Sequence, residues 1–196
     1  MNTKQAIIFG GAFNPPSRGH VWIVGQCAQI AREIGAEVWI LPSGERRDKQ
    51  IGMPHKLRVE MCRAMVRDAD TRGVTVRIMT TELTREAAVE TIDTVGQFAR
   101  TYEDYRLHWV FGADAYETMP QWQGGMWMYE HLDMLVVTRP GYPVVPNAHV
   151  RVVSGLSDDV SSTLIRRTHA ARMPVDELVT PHVARLLATR HIRYTT

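Results

Sequence analysis

The chain has 196 residues, a net charge of +2 and 44% apolar residues, which excludes a low-complexity or strongly disordered protein and any broad polyanion-binding face. At this length a single domain over 1–196 is expected, with a C-terminal helical part from about 161 to 196 included. Cys27 and Cys62 sit among apolar neighbours and read as buried free thiols; there is no signal-type apolar leader and no run of membrane-spanning length, so the cytoplasm is the expected compartment.

The apolar run through Ile7-Ile8-Phe9 predicts a buried parallel strand over Gln5 to Gly10. The chain then turns through Gly10-Gly11, where missing β-carbons allow close backbone approach, and Pro15-Pro16 stiffen the loop. Gly19-His20 opens an apolar-periodic segment (Val21, Val24, Cys27, Ala28, Ala31) that predicts a helix to about Ile34, with Gly35 at its C-terminal cap. His20 therefore falls in the first turn of a helix just beyond the first strand. Open α/β sheets bind ligands in that crevice, and a helix start attracts phosphate. A lone histidine at a helix start is also a common structural feature.

Glu37 to Leu41 reads as strand two, stopped by Pro42, and strand, helix, strand argues a parallel sheet. Residues 42–56 form a glycine- and proline-punctuated basic loop, either a solvated surface or an anion-catching loop beyond a strand's carboxyl end. Lys56 to Asp70 predicts the second helix, with Leu57, Met61, Ala64 and Met65 inward, and Val74 to Ile78 alternates as strand three. Thr80 to Glu90 is polar and shows no clear element. A helix follows from about Thr91 to Tyr102, which Thr91 or Asp93 can cap.

Arg106 to Phe111 is strand four, ending in Gly112-Ala113-Asp114-Ala115, where Asp114 suits a helix cap. Trp122 follows, a ring able to stack on a flat ligand or to serve the core. Met134 to Thr138 is strand five, followed by Arg139-Pro140-Gly141-Tyr142, and Val150 to Val153 is strand six. Asp159-Val160-Ser161-Ser162-Thr163-Leu164-Ile165-Arg166-Arg167 reads as a helix N-terminus; its three hydroxyls and the nearby Arg166 also make a phosphate cradle. The expected fold is Rossmann-like α/β: a doubly wound, mainly parallel sheet of five to six strands with helices on both faces. Neither G-x-G-x-x-G nor G-x-x-x-x-G-K-[ST] occurs, which sets aside dinucleotide binding of the usual kind and phosphate-loop hydrolysis.

Two of these stretches carry a resemblance. G-G-x-F-x-P-x-x-x-G-H over residues 10–20 and V-S-S-T-L-I-R over 160–166 resemble the two signatures of the nucleotidyltransferase superfamily, in the right order. Asn14 stands where that family commonly has Asp, and Ser17 where it has His or Thr. The T-x-x-T of Thr91 and Thr94, Gly112-Ala113-Asp114, Trp122 and Arg139-Pro140-Gly141 are most similar to the bacterial nicotinate mononucleotide adenylyltransferases. The basic loop followed by Arg58-Val59-Glu60-Met61 and the tail from Leu178 to Tyr194 resemble the wider family.

The resemblance implies AMP transfer from ATP to nicotinate mononucleotide, giving deaminated NAD and pyrophosphate. His20, Ser17 and Arg166 would be catalytic. Gly10, Gly11, Phe13, Gly19, Ser161, Ser162, Thr163, Asp114, Lys56 and Arg58 would bind ATP and its phosphates, with Lys49 and His55 as further phosphate candidates. Thr91, Thr94, Trp122 and Arg139 would hold the mononucleotide. Mg2+ would ride on substrate phosphates, with no protein metal site. The partners are ATP and the mononucleotide, without nucleic acid or membrane, and a homo-oligomer is compatible with the sequence. The alternatives are a nicotinamide-mononucleotide, pantetheine-phosphate or cytidylyl transferase, or a catalytically weak nucleotide-binding homologue, motivated by Ser17. A DNA-binding module is disfavoured by the near-neutral charge.

Overall fold

The computed structural model describes residues 3–45, 51–85, 87–88, 90–155, 160–190 and 192. Strands β1 (Lys4–Gly11), β2 (Ala36–Pro42), β3 (Val76–Ile78), β4 (Tyr105–Gly112), β5 (Asp133–Val137) and β6 (Val150–Val153) form one sheet in the order β3-β2-β1-β4-β5-β6. Every pairing is parallel. The chain winds outward from β1 to β3, then crosses to the other side of β1 at β4. The switch point lies between β1 and β4, where such sheets open a crevice beyond their carboxyl ends.

The period of two along each strand sorts the core into two layers. Ile7, Phe9, Val38, Ile40, Val110, Leu135 and Val137 meet Val24, Cys27 and Ala31 of α1 (Arg18–Ile34) and Cys62 and Met65 of α2 (His55–Asp68). Ile8, Trp39, Trp109, Met134 and Val136 meet Val95 and Phe98 of α3 (Thr91–Thr101), Tyr116 of α4 (Ala113–Thr118) and Met128 of α5 (Gly125–His131). Strands buried on both faces explain the near-continuous apolar runs. A third cluster joins Met61 and Ala64 of α2 to Ile165 of α6 (Ser162–Ala170) and Val183 and Leu187 of α7 (Pro181–Thr189). It carries the second signature back toward the first.

The predicted elements stand, with shifted ends. The third strand shortens to Val76–Ile78, because this edge strand pairs with β2 over three residues only. The second helix runs from His55 to Asp68 rather than Lys56 to Asp70. Glu90, not Thr91 or Asp93, is the N-cap of α3: its backbone N–H donates to the Asp93 carboxylate at 3.1 Å, so Asp93 serves from the third helical position. The cysteines are free and buried, and desolvation pushes both thiols up to about 12, which leaves them inert. Among the described residues no helix is long and apolar enough to cross a membrane.

Candidate active site

The crevice is lined first by the loop after β1. Gly10 is exposed although it lies in a central strand, and Gly11, which ends that strand, is half-buried. A β-carbon at Gly11 would stand 3.1 Å from the Phe13 ring, which explains the second glycine. Phe13 has a positive φ of 46°, unusual for a bulky residue, and marks a sharply bent loop. Its buried ring meets the His20 imidazole edge-on at 5.5 Å between centroids and Phe9 at 5.4 Å. Gly19 is buried one residue before His20.

Ser17 is the N-cap of α1 and is only 2% exposed. Its hydroxyl receives the His20 N–H at 3.4 Å and lies 2.7 Å from His20 Nδ1, while the Ser17 backbone N–H donates to that same Nδ1 at 3.0 Å. A backbone amide can only donate, so Nδ1 is the acceptor nitrogen and the neutral ring carries its proton on Nε2. The Ser17 hydroxyl serves both the helix cap and the imidazole.

The second signature docks on the same loop. Ser161 caps α6, accepting the Leu164 N–H at 3.1 Å. The Ser162 hydroxyl donates to the Pro15 carbonyl at 2.8 Å, and Arg166 donates to the Asn14 carbonyl at 3.0 Å and to the Thr163 hydroxyl at 3.0 Å. Buried Asn14 leaves its side-chain Oδ1 without a hydrogen-bond partner. The imidazole and the hydroxyl triplet, far apart in sequence, thus flank residues 13–15.

Other expected residues divide. Lys56 is exposed in the first turn of α2 and His55 is half-buried beside it; Lys49 lies outside the described residues. Arg58 is fully buried, donating to the Ala12 carbonyl at 3.1 Å and the Ser43 carbonyl at 2.6 Å, with Nε and Nη2 unpartnered. It bridges the loops after β1 and β2. Burial lowers its pKa, opposed by Cys62, Glu45 and Glu82. Thr94 is 1% exposed and its hydroxyl is committed, donating to Glu82 at 2.7 Å and accepting from Arg85 at 3.0 Å. Thr91, in the first turn of α3, is half-buried.

Asp114 and Arg139, expected in separate subsites, form one ion pair at 3.3 Å beside Gly112, at the β4 edge of the switch point. A β-carbon at Gly112 would stand 2.4 Å from the Asp114 carboxylate, so this glycine is what admits the pair. Trp122 rests partly buried against Phe111, centroids 6.3 Å apart, and the turn at Gly124 packs on Ile92 of α3. Sequence reasoning missed Glu82, which joins Gly44 to Thr94. The signal available was a carboxylate in a polar segment just beyond a strand's carboxyl end.

Together the sheet order, a donor imidazole at one helix start and a hydroxyl-lined second helix start over one crevice define a nucleotide-handling α/β enzyme. The chain belongs to the cytidylyltransferase-like family, which matches residues 8–168. A chain from Shouchella clausii, named a probable nicotinate-nucleotide adenylyltransferase, is 30% identical over 194 residues, covering 96% of each. The nicotinate-nucleotide adenylyltransferase of Bacillus subtilis is 28% identical, covering 90% of this chain and 91% of its own length. The Plasmodium falciparum nicotinic acid mononucleotide adenylyltransferase, solved with NaAD, superposes with a TM-score of 0.78 over 94% of this chain and 95% of its own, at 14% identity, which shows the shared fold.

Proposed function

We propose that the protein transfers the adenylyl group of ATP to nicotinate mononucleotide, releasing pyrophosphate and deaminated NAD. The mononucleotide phosphate oxygen attacks the α-phosphorus in line; a P–O bond forms there as the bond to the β-phosphate bridging oxygen breaks. The attacking phosphate is already an anion, so no general base is required, and acceleration comes from positioning and charge stabilisation.

His20 donates from Nε2 to an α-phosphate oxygen as negative charge grows there. Ser161, Ser162, Thr163 and the N-terminal amides of α6 cradle the triphosphate, with Arg166 beside the leaving pyrophosphate. Gly10, Gly11 and Lys56 border the same phosphates. Thr91, Trp122 and the Asp114–Arg139 pair serve the nucleoside parts. ATP enters as its magnesium complex, the metal held by phosphate oxygens. Among the described residues no group of three or more His, Cys, Asp or Glu could hold an ion.

The observation that supports this reading is the docking of Ser162 and Arg166 onto Pro15 and Asn14, which joins the second signature to the loop that leads to His20. The names of the relatives support the choice of acceptor. The test is pyrophosphate release with ATP or CTP against nicotinate mononucleotide, nicotinamide mononucleotide and phosphopantetheine. Release with ATP and nicotinate mononucleotide is expected; nucleotide binding without release from any pair would overturn it.

A further inference from the structure

Glu82 lies outside every motif read from the sequence, in the turn after β3. Its two carboxylate oxygens have different partners. One accepts the Gly44 backbone N–H at 3.1 Å, and the other accepts the Thr94 hydroxyl at 2.7 Å. Gly44 begins the basic loop beyond β2, and Thr94 stands in the first turns of α3. A second observation shows the same close approach: a β-carbon at Gly44 would stand 2.3 Å from the Glu82 carbonyl oxygen. Thr94 also accepts from Arg85, which donates on to Gln97 of α3. From the other side, Arg58 holds the Ser43 carbonyl together with that of Ala12 in the catalytic loop. The backbone at 43–44 is gripped by Arg58 toward His20 and by Glu82 toward α3.

We propose that Glu82 is a positioning residue for the acceptor subsite: by bonding Gly44 and Thr94 with separate carboxylate oxygens, it sets the spacing of the backbone at 43–44 from the start of α3, beside which the mononucleotide docks. This rests on the reading that the acceptor sits at the α3 start. Both partners are donors, and a carboxylate offers two acceptor oxygens, whereas glutamine offers one and turns an NH2 toward the other partner.

Glu82→Gln should raise KM for nicotinate mononucleotide about tenfold while KM for ATP moves by less than about twofold. Glu82→Asp, which keeps two oxygens on a shorter stem, should fall between. Thr94→Val, removing one donor, should raise the same KM and combine with Glu82→Gln less than additively. Exchange of the Gly44 amide in the ligand-free protein should quicken in Glu82→Gln.

A rise in both KM values alike overturns the proposal. So does a fall in kcat with both KM values unmoved, or faster Gly44 exchange with acceptor KM unchanged. Wild-type protein that releases no pyrophosphate with nicotinate mononucleotide would remove the acceptor reading on its own. The variants are then compared by calorimetric titration with each mononucleotide and with ATP. Weaker mononucleotide binding at constant ATP binding supports the positioning role, and unchanged mononucleotide binding overturns it.

Discussion

The Ser162 hydroxyl donates to the Pro15 carbonyl at 2.8 Å, closing 147 positions of sequence onto the loop that leads to His20. The contact is polar, half-buried and specific, since a carbonyl beyond a proline-shaped bend has a fixed direction. Ser162→Ala should cost about 1 kcal/mol of stability and raise KM for ATP. Urea unfolding and steady-state kinetics on the same samples measure both; unaltered ATP kinetics would detach this helix start from the triphosphate.

His20→Ala should lower kcat roughly 10²–10³-fold, the loss typical of one transition-state donor. ATP affinity, measured by calorimetry, should stay close to wild type. Undiminished turnover would exclude the donor role.

Ser17→Ala removes both an N-cap and the hydroxyl that holds His20 Nδ1. A loss of about 1 kcal/mol in stability is expected, together with a drop in kcat larger than thermal unfolding accounts for. Ser17→Thr keeps the hydroxyl and should recover most of both. Failure of threonine to recover kcat would show that the hydroxyl does not orient the ring.

Arg58→Met leaves the Ala12 and Ser43 carbonyls without their buried donor. A cost of about 3 kcal/mol is expected, read as a lowered denaturant midpoint. Arg58→Lys should recover little, because one ammonium on a flexible stem cannot reproduce the planar fork. A surface phosphate contact would instead leave stability unchanged.

His108 and Asp133, with His149, line a cavity of about 230 Å3 at the amino-terminal edge of the sheet, away from the active site. Burial lowers the His108 pKa below its ordinary 6.5, with Asp133 opposing and Arg106 adding to the shift. The folded state therefore binds this proton less readily than the unfolded chain. Its contribution is complete above 6.5 and is lost as pH falls from there through the folded value. Wild-type unfolding midpoints should decline between about pH 7 and pH 5 more steeply than those of His108→Gln. Equal slopes would refute the assignment. Asp133 acts lower: the Arg106 hydrogen bond holds its carboxyl below 3.8, so its contribution is lost only as pH falls beneath that.

Sequence alone determined the sheet's strands and the two helix starts. Apolar runs buried on both faces, glycine at a strand end and hydroxyls before a helix are local patterns, each with one dominant physical cause. Tertiary structure decided what those groups touch. Ser17 is consumed by its neighbour's imidazole, Arg58 is drawn inside by two carbonyls, and Asp114 is paired with Arg139, none of which a spacing can report. Glu82 stood in the sequence only as a carboxylate just beyond a strand's end, and its partners, Gly44 and Thr94, come from elsewhere in the chain. Hydrogen-bond partners across elements are fixed only when the sheet order is, and strand order depends on packing the whole chain at once.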